Sequence, residues 1–227
     1  MSLTIDGLSK EDLTNSSAID SFMLSSIDTI IFDLGEVIVD LHTHKTVEAF
    51  ASLFQKPEFN LFSFHHQVSF FNEFEKGLIS ENEFRQQLRN VVQIQNVSDE
   101  DIDAAWNAML GDTPQKKLDV LLQLKKTHRI LALSNTNSIH IKFINDYLSN
   151  RKTGDCLENY FHLAYYSHDL FARKPDKEIY LKVIDIERLS PSSVLFIDDR
   201  IENIKTAQEL GMQTFHMTHP EQFYKLF

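Results

Sequence analysis

A single cysteine, Cys156, excludes an internal disulfide framework and a cysteine-rich zinc site. Six glycines and five prolines in 227 residues are too few for a linker-rich or low-complexity chain. Positive charge is scarce as well: 22 Lys and Arg stand against 33 Asp and Glu, a formal net charge of −11. That balance argues against nucleic acid or an anionic membrane as a partner. No unbroken apolar run approaches the ~20 residues of a spanning helix. The stretch Met1–Asp20 lacks the basic-then-apolar order of a secretory signal. Together these absences lead us to expect a cytoplasmic protein. What the chain does hold is apolar bulk, 42% hydrophobic residues with 18 phenylalanines, enough for a substantial core.

Apolar runs mark the strands. Thr29–Phe32 is apolar at consecutive positions, the pattern of a strand buried on both faces. Arg129–Leu133, His162–Tyr166, Val194–Ile197 and Gln213–Met217 repeat it. Between them lie helical patterns over Pro114–Thr127, Ser138–Asn150, Asp176–Asp185 and Ile201–Leu210. In the first, Leu118, Leu121, Leu122 and Leu124 face one side and Lys116, Lys117, Lys125 and Lys126 the other. Gly211 is placed to end the last of these helices, and Pro175 to open the helix that follows it. Strands alternating with helices predict an α/β fold, a Rossmann-like parallel sheet with helices on both faces. Residues 42–111 break the alternation with helical, Phe-rich sequence, and Ser80 with Glu83 reads as a capping box. The expected organisation is an extension over 1–25, an α/β core over 26–41 and 112–227, and an inserted helical unit over 42–111. Trp106 and the Phe series are assigned to the core of that unit, with some Phe lining the crevice beside the sheet.

In an open parallel sheet, ligands sit beyond the carboxyl ends of the strands. Those ends carry Asp33, then Ser134-Asn135, then a segment leading to Lys174, then Asp198-Asp199. Taken singly, each residue type is also an ordinary cap or turn residue. Taken together, three carboxylates converging on one crevice repel unless a cation lies between them, and oxygen ligands suit a hard divalent ion. Lys174, just before Pro175, is either a solvated lysine or a point charge for a phosphate. Glu75-Lys76-Gly77 reads as a surface turn, although Lys76 has the reach to meet a substrate. Adjacent residues on a helix point about 100° apart, which counts against His65 and His66 as joint metal ligands.

Phe32-Asp33-Leu34-Gly35-Glu36-Val37, Leu133-Ser134-Asn135-Thr136, Arg173-Lys174-Pro175 and Phe196-Ile197-Asp198-Asp199 with Asn203 resemble, in order and spacing, the four motifs of the haloacid dehalogenase superfamily. The resemblance spans roughly residues 27–227 and points toward its glucose-1-phosphatase-like sugar-phosphate phosphatases. It implies a Mg²⁺-dependent phosphatase with Asp33 as nucleophile and an aspartyl-phosphate intermediate. It further implies that Asp33, the backbone carbonyl of Gly35 and Asp199 hold the Mg²⁺, with Asp198 in support. Ser134 and the backbone of Asn135 would hold phosphate oxygens, and Lys174 would neutralise the phosphate and orient Asp33. The inserted helices resemble the family's cap, and a monomer or weak homodimer is expected.

One departure stands out. The usual pattern has a second Asp two residues after the nucleophile, as general acid and base; this chain has Gly35. The missing carboxyl is worth ~10²–10⁴-fold. The substrate then has a leaving group that needs little help, or a neighbour such as Glu36, His65 or His66 substitutes, or turnover is poor. Carbon–halogen hydrolysis and a weakly catalytic binding or regulatory role are the alternative functions.

Overall fold

The computed structural model describes residues 26–56, 69–152 and 154–227. The expected extension over 1–25, and Phe59, Phe62, Phe64, His65 and His66, lie outside those residues.

Five strands form one sheet: β1 (Thr29–Phe32), β2 (Arg129–Ser134), β3 (Leu163–Tyr166), β4 (Val194–Asp198) and β5 (Gln213–His216). Their order is β3-β2-β1-β4-β5, and every pairing is parallel. β1 is central, and all four of its residues are buried. Successive side chains of a strand point to opposite faces. Ile30, Phe32, Ile130, Ala132, Leu195 and Ile197 therefore enter one core, and Ile31, Leu131, Leu133, Val194 and Phe196 enter another. This is why the strands need apolar residues at consecutive positions. Each such side chain, taken fully out of water, contributes ~1.5–3 kcal/mol.

The helices supply the other half of each core. On the first face lie α5 (Gln115–Leu124), α6 (Ser138–Arg151) and the C-terminal α10 (Phe223–Leu226), through Leu118, Leu121, Ile144, Leu148, Phe223 and Leu226. On the second lie α8 (Lys177–Glu187) and α9 (Ile201–Glu209), through Ile179, Tyr180, Val183, Ile204 and Ala207. Gly211 follows α9 with φ +86, a conformation that suits glycine. The short α7 (Ser167–Leu170) follows β3 directly.

Among the described residues four more helices precede β2: α1 (Thr43–Leu53), α2 (Phe70–Glu75), α3 (Glu81–Val92) and α4 (Asp99–Asn107). They share their own cluster, dominated by Phe50, Phe54, Phe70, Phe71, Phe74, Phe84 and Trp106. Phe74 stacks on Phe84 with ring centres 4.2 Å apart. Ser80 and Glu83 form the capping box at the start of α3. The chain enters and leaves this helical layer side by side. Leu41 bridges Leu110, Asp40 N–H donates to Asp112 O (2.9 Å), Gly111 N–H to Asp40 O (2.7 Å) and His42 N–H to Met109 O (2.6 Å).

Three local expectations fail, the first at Leu122, which is 40% exposed and not on the buried side with Leu118 and Leu121. Lys117 is not on the solvent face of its helix: it is 1% exposed, and its Nζ lies 3.2 Å from Asp40 Oδ1. Its position beside Leu118 turns its stem inward, and the charge is met at the crossing of the two linkers. Pro175 does not open α8, whose N-cap is Asp176. Both backbone polar groups of Lys174 are taken by the Asn135 side chain, at 2.8 Å each, which holds this segment outside the helix.

Candidate active site

Ladder hydrogen bonds bring the carboxyl ends of β1, β2 and β4 together. Asp33 N–H continues the β1–β4 ladder by donating to Ile197 O at 2.8 Å. The Asp33 side chain accepts from Leu34 N–H (2.7 Å), which turns its carboxylate over the strand end. Lys174, 1% exposed, reaches back across the sheet to lie 2.9 Å from Asp33 Oδ1 and 2.7 Å from Asp198 Oδ2. Asp198 also accepts from Asn203 Nδ2 (2.9 and 3.0 Å) and from Arg200 N–H (2.8 Å). Asn203 is itself fixed, because its carbonyl accepts from Tyr180 Oη at 3.1 Å. Asp199 is less buried than Asp198, and its backbone carbonyl meets His216 Nε2 at 2.9 Å.

Of the sequence candidates, the structure brings Asp33, Lys174, Asp198 and Asp199 into one cluster. Ser134 is buried at the end of β2 and, with Asn135, Gly35 and Lys174, lines a crevice beside that cluster, whose three carboxylates are not among the lining residues. The crevice encloses about 820 Å³ between the sheet end and the helical layer. Glu36 is not among its lining residues. Among the described residues its aromatic lining comes from Trp106 and not from any Phe. The phenylalanines pack on each other instead. The Glu75-Lys76-Gly77 turn is no surface turn: Glu75 and Lys76 line the crevice, and Lys76 lies 3.3 Å from Asp176.

The electrostatics are those of a crowded anionic site. Burial lifts the Asp33 carboxyl to about 7, with Lys174 pulling it down and Asp198 pushing it further up. Burial and then Asp198 lift Asp199 to about 6. Burial works against the Lys174 ammonium, yet Asp198 and Asp33 hold it above its ordinary value. One oxygen from each of Asp33, Asp198 and Asp199 lies within 4.8 Å of the others. Three carboxylates around one ammonium leave negative charge unmatched in a buried place. The donor set fits a hard divalent cation, which would hold all three ionised.

Sequence reasoning missed three groups. Ser167, fully buried, pins the loop after β2: its Oγ accepts from Thr136 N–H and donates to Thr136 O, both at 2.9 Å. His140 on α6 joins the two layers, with Nδ1 2.8 Å from Asn107 Oδ1 and its ring stacked on Trp106 at 4.9 Å. Burial pushes its pKa down to about 3, so it is neutral at ordinary pH. Arg173 Nη2 lies 3.0 Å from Glu75, and burial lifts the Glu75 carboxyl against the pull of Arg173 and Arg200. No sequence signal predicts the His140 and Arg173 contacts, because each of those spans two layers. A serine at the end of a strand, as at Ser167, was the one available hint.

The Gly35 position is explained in part by its neighbour. A Cβ there would lie 2.8 Å from Leu41 Cδ1. Leu41, on the linker into the helical layer, occupies the space a side chain at 35 would need.

Comparison with known proteins follows the same lines. The family model described as haloacid dehalogenase-like hydrolase matches residues 27–211. A D-ribitol-5-phosphate phosphatase of Bacteroides thetaiotaomicron is 34% identical over 192 residues, covering 83% of this chain and 91% of the relative. A chloroplast flavin mononucleotide hydrolase of Arabidopsis thaliana is 31% identical over 188 residues, 81% of this chain and 69% of that protein. Among solved structures, a HAD family enzyme from Bacteroides thetaiotaomicron in complex with magnesium and inorganic phosphate superposes with a TM-score of 0.75. It is 37% identical, and the match covers 84% of this chain and 93% of that one.

Proposed function

The chain belongs to the haloacid dehalogenase-like hydrolases, and from that premise we propose that it is a Mg²⁺-dependent phosphatase of a small sugar or polyol phosphate, working through an aspartyl phosphate on Asp33. The observation that carries this reading is the buried Asp33–Lys174–Asp198 network beside Asp199. The relatives add the substrate class: ribitol 5-phosphate and flavin mononucleotide are both phosphate esters at the end of a ribityl chain.

Asp33 attacks phosphorus, forming an O–P bond as the ester oxygen departs with the electron pair. Water then cleaves the acyl phosphate and returns the carboxylate. Lys174 holds Asp33 in place and faces the phosphate with positive charge, which suits the charge-dispersed transition state of phosphoryl transfer. The Ser134 hydroxyl and the Asn135 N–H hold phosphate oxygens, and the Asn135 side chain serves instead to fix Lys174. Asp33, Asp199 and the Gly35 carbonyl would hold Mg²⁺, with Asp198 supporting them, since its oxygens already serve Lys174, Asn203 and Arg200 N–H. The ion, when bound, offsets the repulsion between the carboxylate and the phosphate dianion. Residues 42–111 act as a cap that closes the crevice and excludes water. Among the described residues, no helix is long and apolar enough to cross a membrane.

Gly35 with Leu41 packed against it favours a second reading, a domain that binds phosphate esters with little turnover. Turnover of p-nitrophenyl phosphate decides between them. The phosphatase reading expects release of p-nitrophenol that stops with chelator and returns with Mg²⁺. Phosphate-ester binding without such turnover would sink it.

A further inference from the structure

The helical layer presents a second polar set to the crevice. Glu75 ends α2, 3.0 Å from Arg173 Nη2, and Arg173 Nη1 also donates to Asn72 Oδ1. The turn after it is seated on the sheet layer. Gly77 has φ +65, and a Cβ there would lie 2.1 Å from the His168 carbonyl oxygen. Glu75 is thus held at the crevice by both layers.

Its hydrogen bonding is incomplete. Glu75 Oε2 is sealed against Arg173 without a hydrogen bond. The side chain is 18% exposed and lines the crevice. Oε2 is turned to Arg173, and the part of the carboxylate that lines the crevice offers acceptor capacity to a donor there. Each cation nearby has an acid within 4 Å, although Arg173 Nε is left without a hydrogen bond. Arg173 has Glu75, Lys76 has Asp176 at 3.3 Å, and Arg200 lies 3.9 Å from Glu202. A second phosphate or a carboxylate would find no cation without an acid beside it in this set. A neutral hydroxyl finds an acceptor.

Building on the phosphatase reading, we propose that Glu75, oriented by Arg173, accepts hydrogen bonds from hydroxyl groups in the tail of the substrate. The substrate is then a singly phosphorylated ester with a polyhydroxylated, uncharged tail. Glu75 is a specificity residue that touches substrate, and Arg173 is a positioning residue.

The test uses the full chain with Mg²⁺ and three esters: D-ribitol 5-phosphate, pentyl phosphate and p-nitrophenyl phosphate. The natural protein is expected to favour ribitol 5-phosphate over pentyl phosphate in kcat/KM. Glu75→Gln should lower kcat/KM for ribitol 5-phosphate about 10- to 100-fold, chiefly through KM, and by at least tenfold more than for the other two esters. Glu75→Asp, which keeps the charge beside Arg173, should fall between. Inhibition by inorganic phosphate reports whether each variant has folded with its sheet-end site intact. An equal loss on all three esters would overturn the proposal. So would better use of a bisphosphorylated polyol than of ribitol 5-phosphate. If the natural protein turns over none of the esters, the phosphatase reading fails by itself, and calorimetric binding of ribitol 5-phosphate against pentyl phosphate, with and without Glu75→Gln, then tests the hydroxyl site alone. Equal affinities there would overturn it.

Discussion

At the sheet ends, Asp33, Asp198 and Asp199 share one buried ammonium, Lys174, whereas the facing helical wall brings Glu75 and Lys76, each paired with an opposite charge of the sheet layer, Arg173 and Asp176. The two walls bound the same crevice and solve opposite problems. A charge imbalance in a buried place is unfavourable, and the sheet wall maintains it through ladder hydrogen bonds and two cores beneath it. Such an imbalance is useful where charge must be met, at a dianion and its counter-ion. The charges of the helical wall are matched by partners across the seam, and these pairs seat it against the sheet. Under the proposed function, imbalance marks the place of reaction and matched charge the place of selection.

The sharpest way to break this contrast is to remove one sheet-end carboxylate. Asp33→Asn should reduce turnover of p-nitrophenyl phosphate by at least about 10⁴-fold. In chelator its melting temperature should equal or exceed that of the natural protein, because one of three crowded acids is gone. Retained activity would disprove the covalent route, and a large fall in melting temperature would disprove the crowding.

A smaller effect is expected at Gly35. Gly35→Asp alone meets Leu41 Cδ1, so it is paired with Leu41→Ala. The double variant should raise kcat/KM for pentyl phosphate by about 10²-fold, toward the general-acid contribution, and change p-nitrophenyl phosphate much less. If the natural protein already hydrolyses both esters equally well, an acid exists elsewhere, and Glu36, His65 and His66 are the residues to replace.

The smallest effect belongs to the seam between the walls. His140 is held at about 3, below its ordinary 6.5. Between those values the unfolded chain takes up a proton that the folded one refuses, so stability falls as pH drops through the window. By pH 5 the loss reaches ~2 kcal/mol. Asp33, Asp199 and Glu75, held above their ordinary values, act in the opposite sense and are common to both proteins compared. His140→Gln should therefore flatten the decline between pH 6.5 and 5 in urea unfolding. Parallel curves for the two proteins would mean that the seam admits water.

The sheet wall was largely legible in the sequence. Strands buried on both faces announce themselves as continuous apolar runs, and the residue after each run is fixed by the ladder to within one position. Asp33, Ser134 and Asp198-Asp199 follow from that rule, whereas the place of Lys174 before Pro175 left it open and the family resemblance assigned it. The helical wall was not legible. Whether Glu75 faces solvent or a crevice depends on how one layer sits on another, which a helical period does not encode. The same holds for His140 against Trp106 and for Lys117 beneath Asp40. Pro175 misled because a backbone captured by the Asn135 amide outweighs a local preference.

The paired linkers at Asp40–His42 and Met109–Asp112 have a mechanical meaning. Two chains running in opposite directions and tied by backbone hydrogen bonds behave as a door hinge rather than a ball joint. They bend about one axis and resist twisting and sliding. Leu41 sits on that hinge with its methyl against Gly35, two residues from Asp33. Any rotation of the helical layer about these linkers would therefore change the clearance beside Asp33.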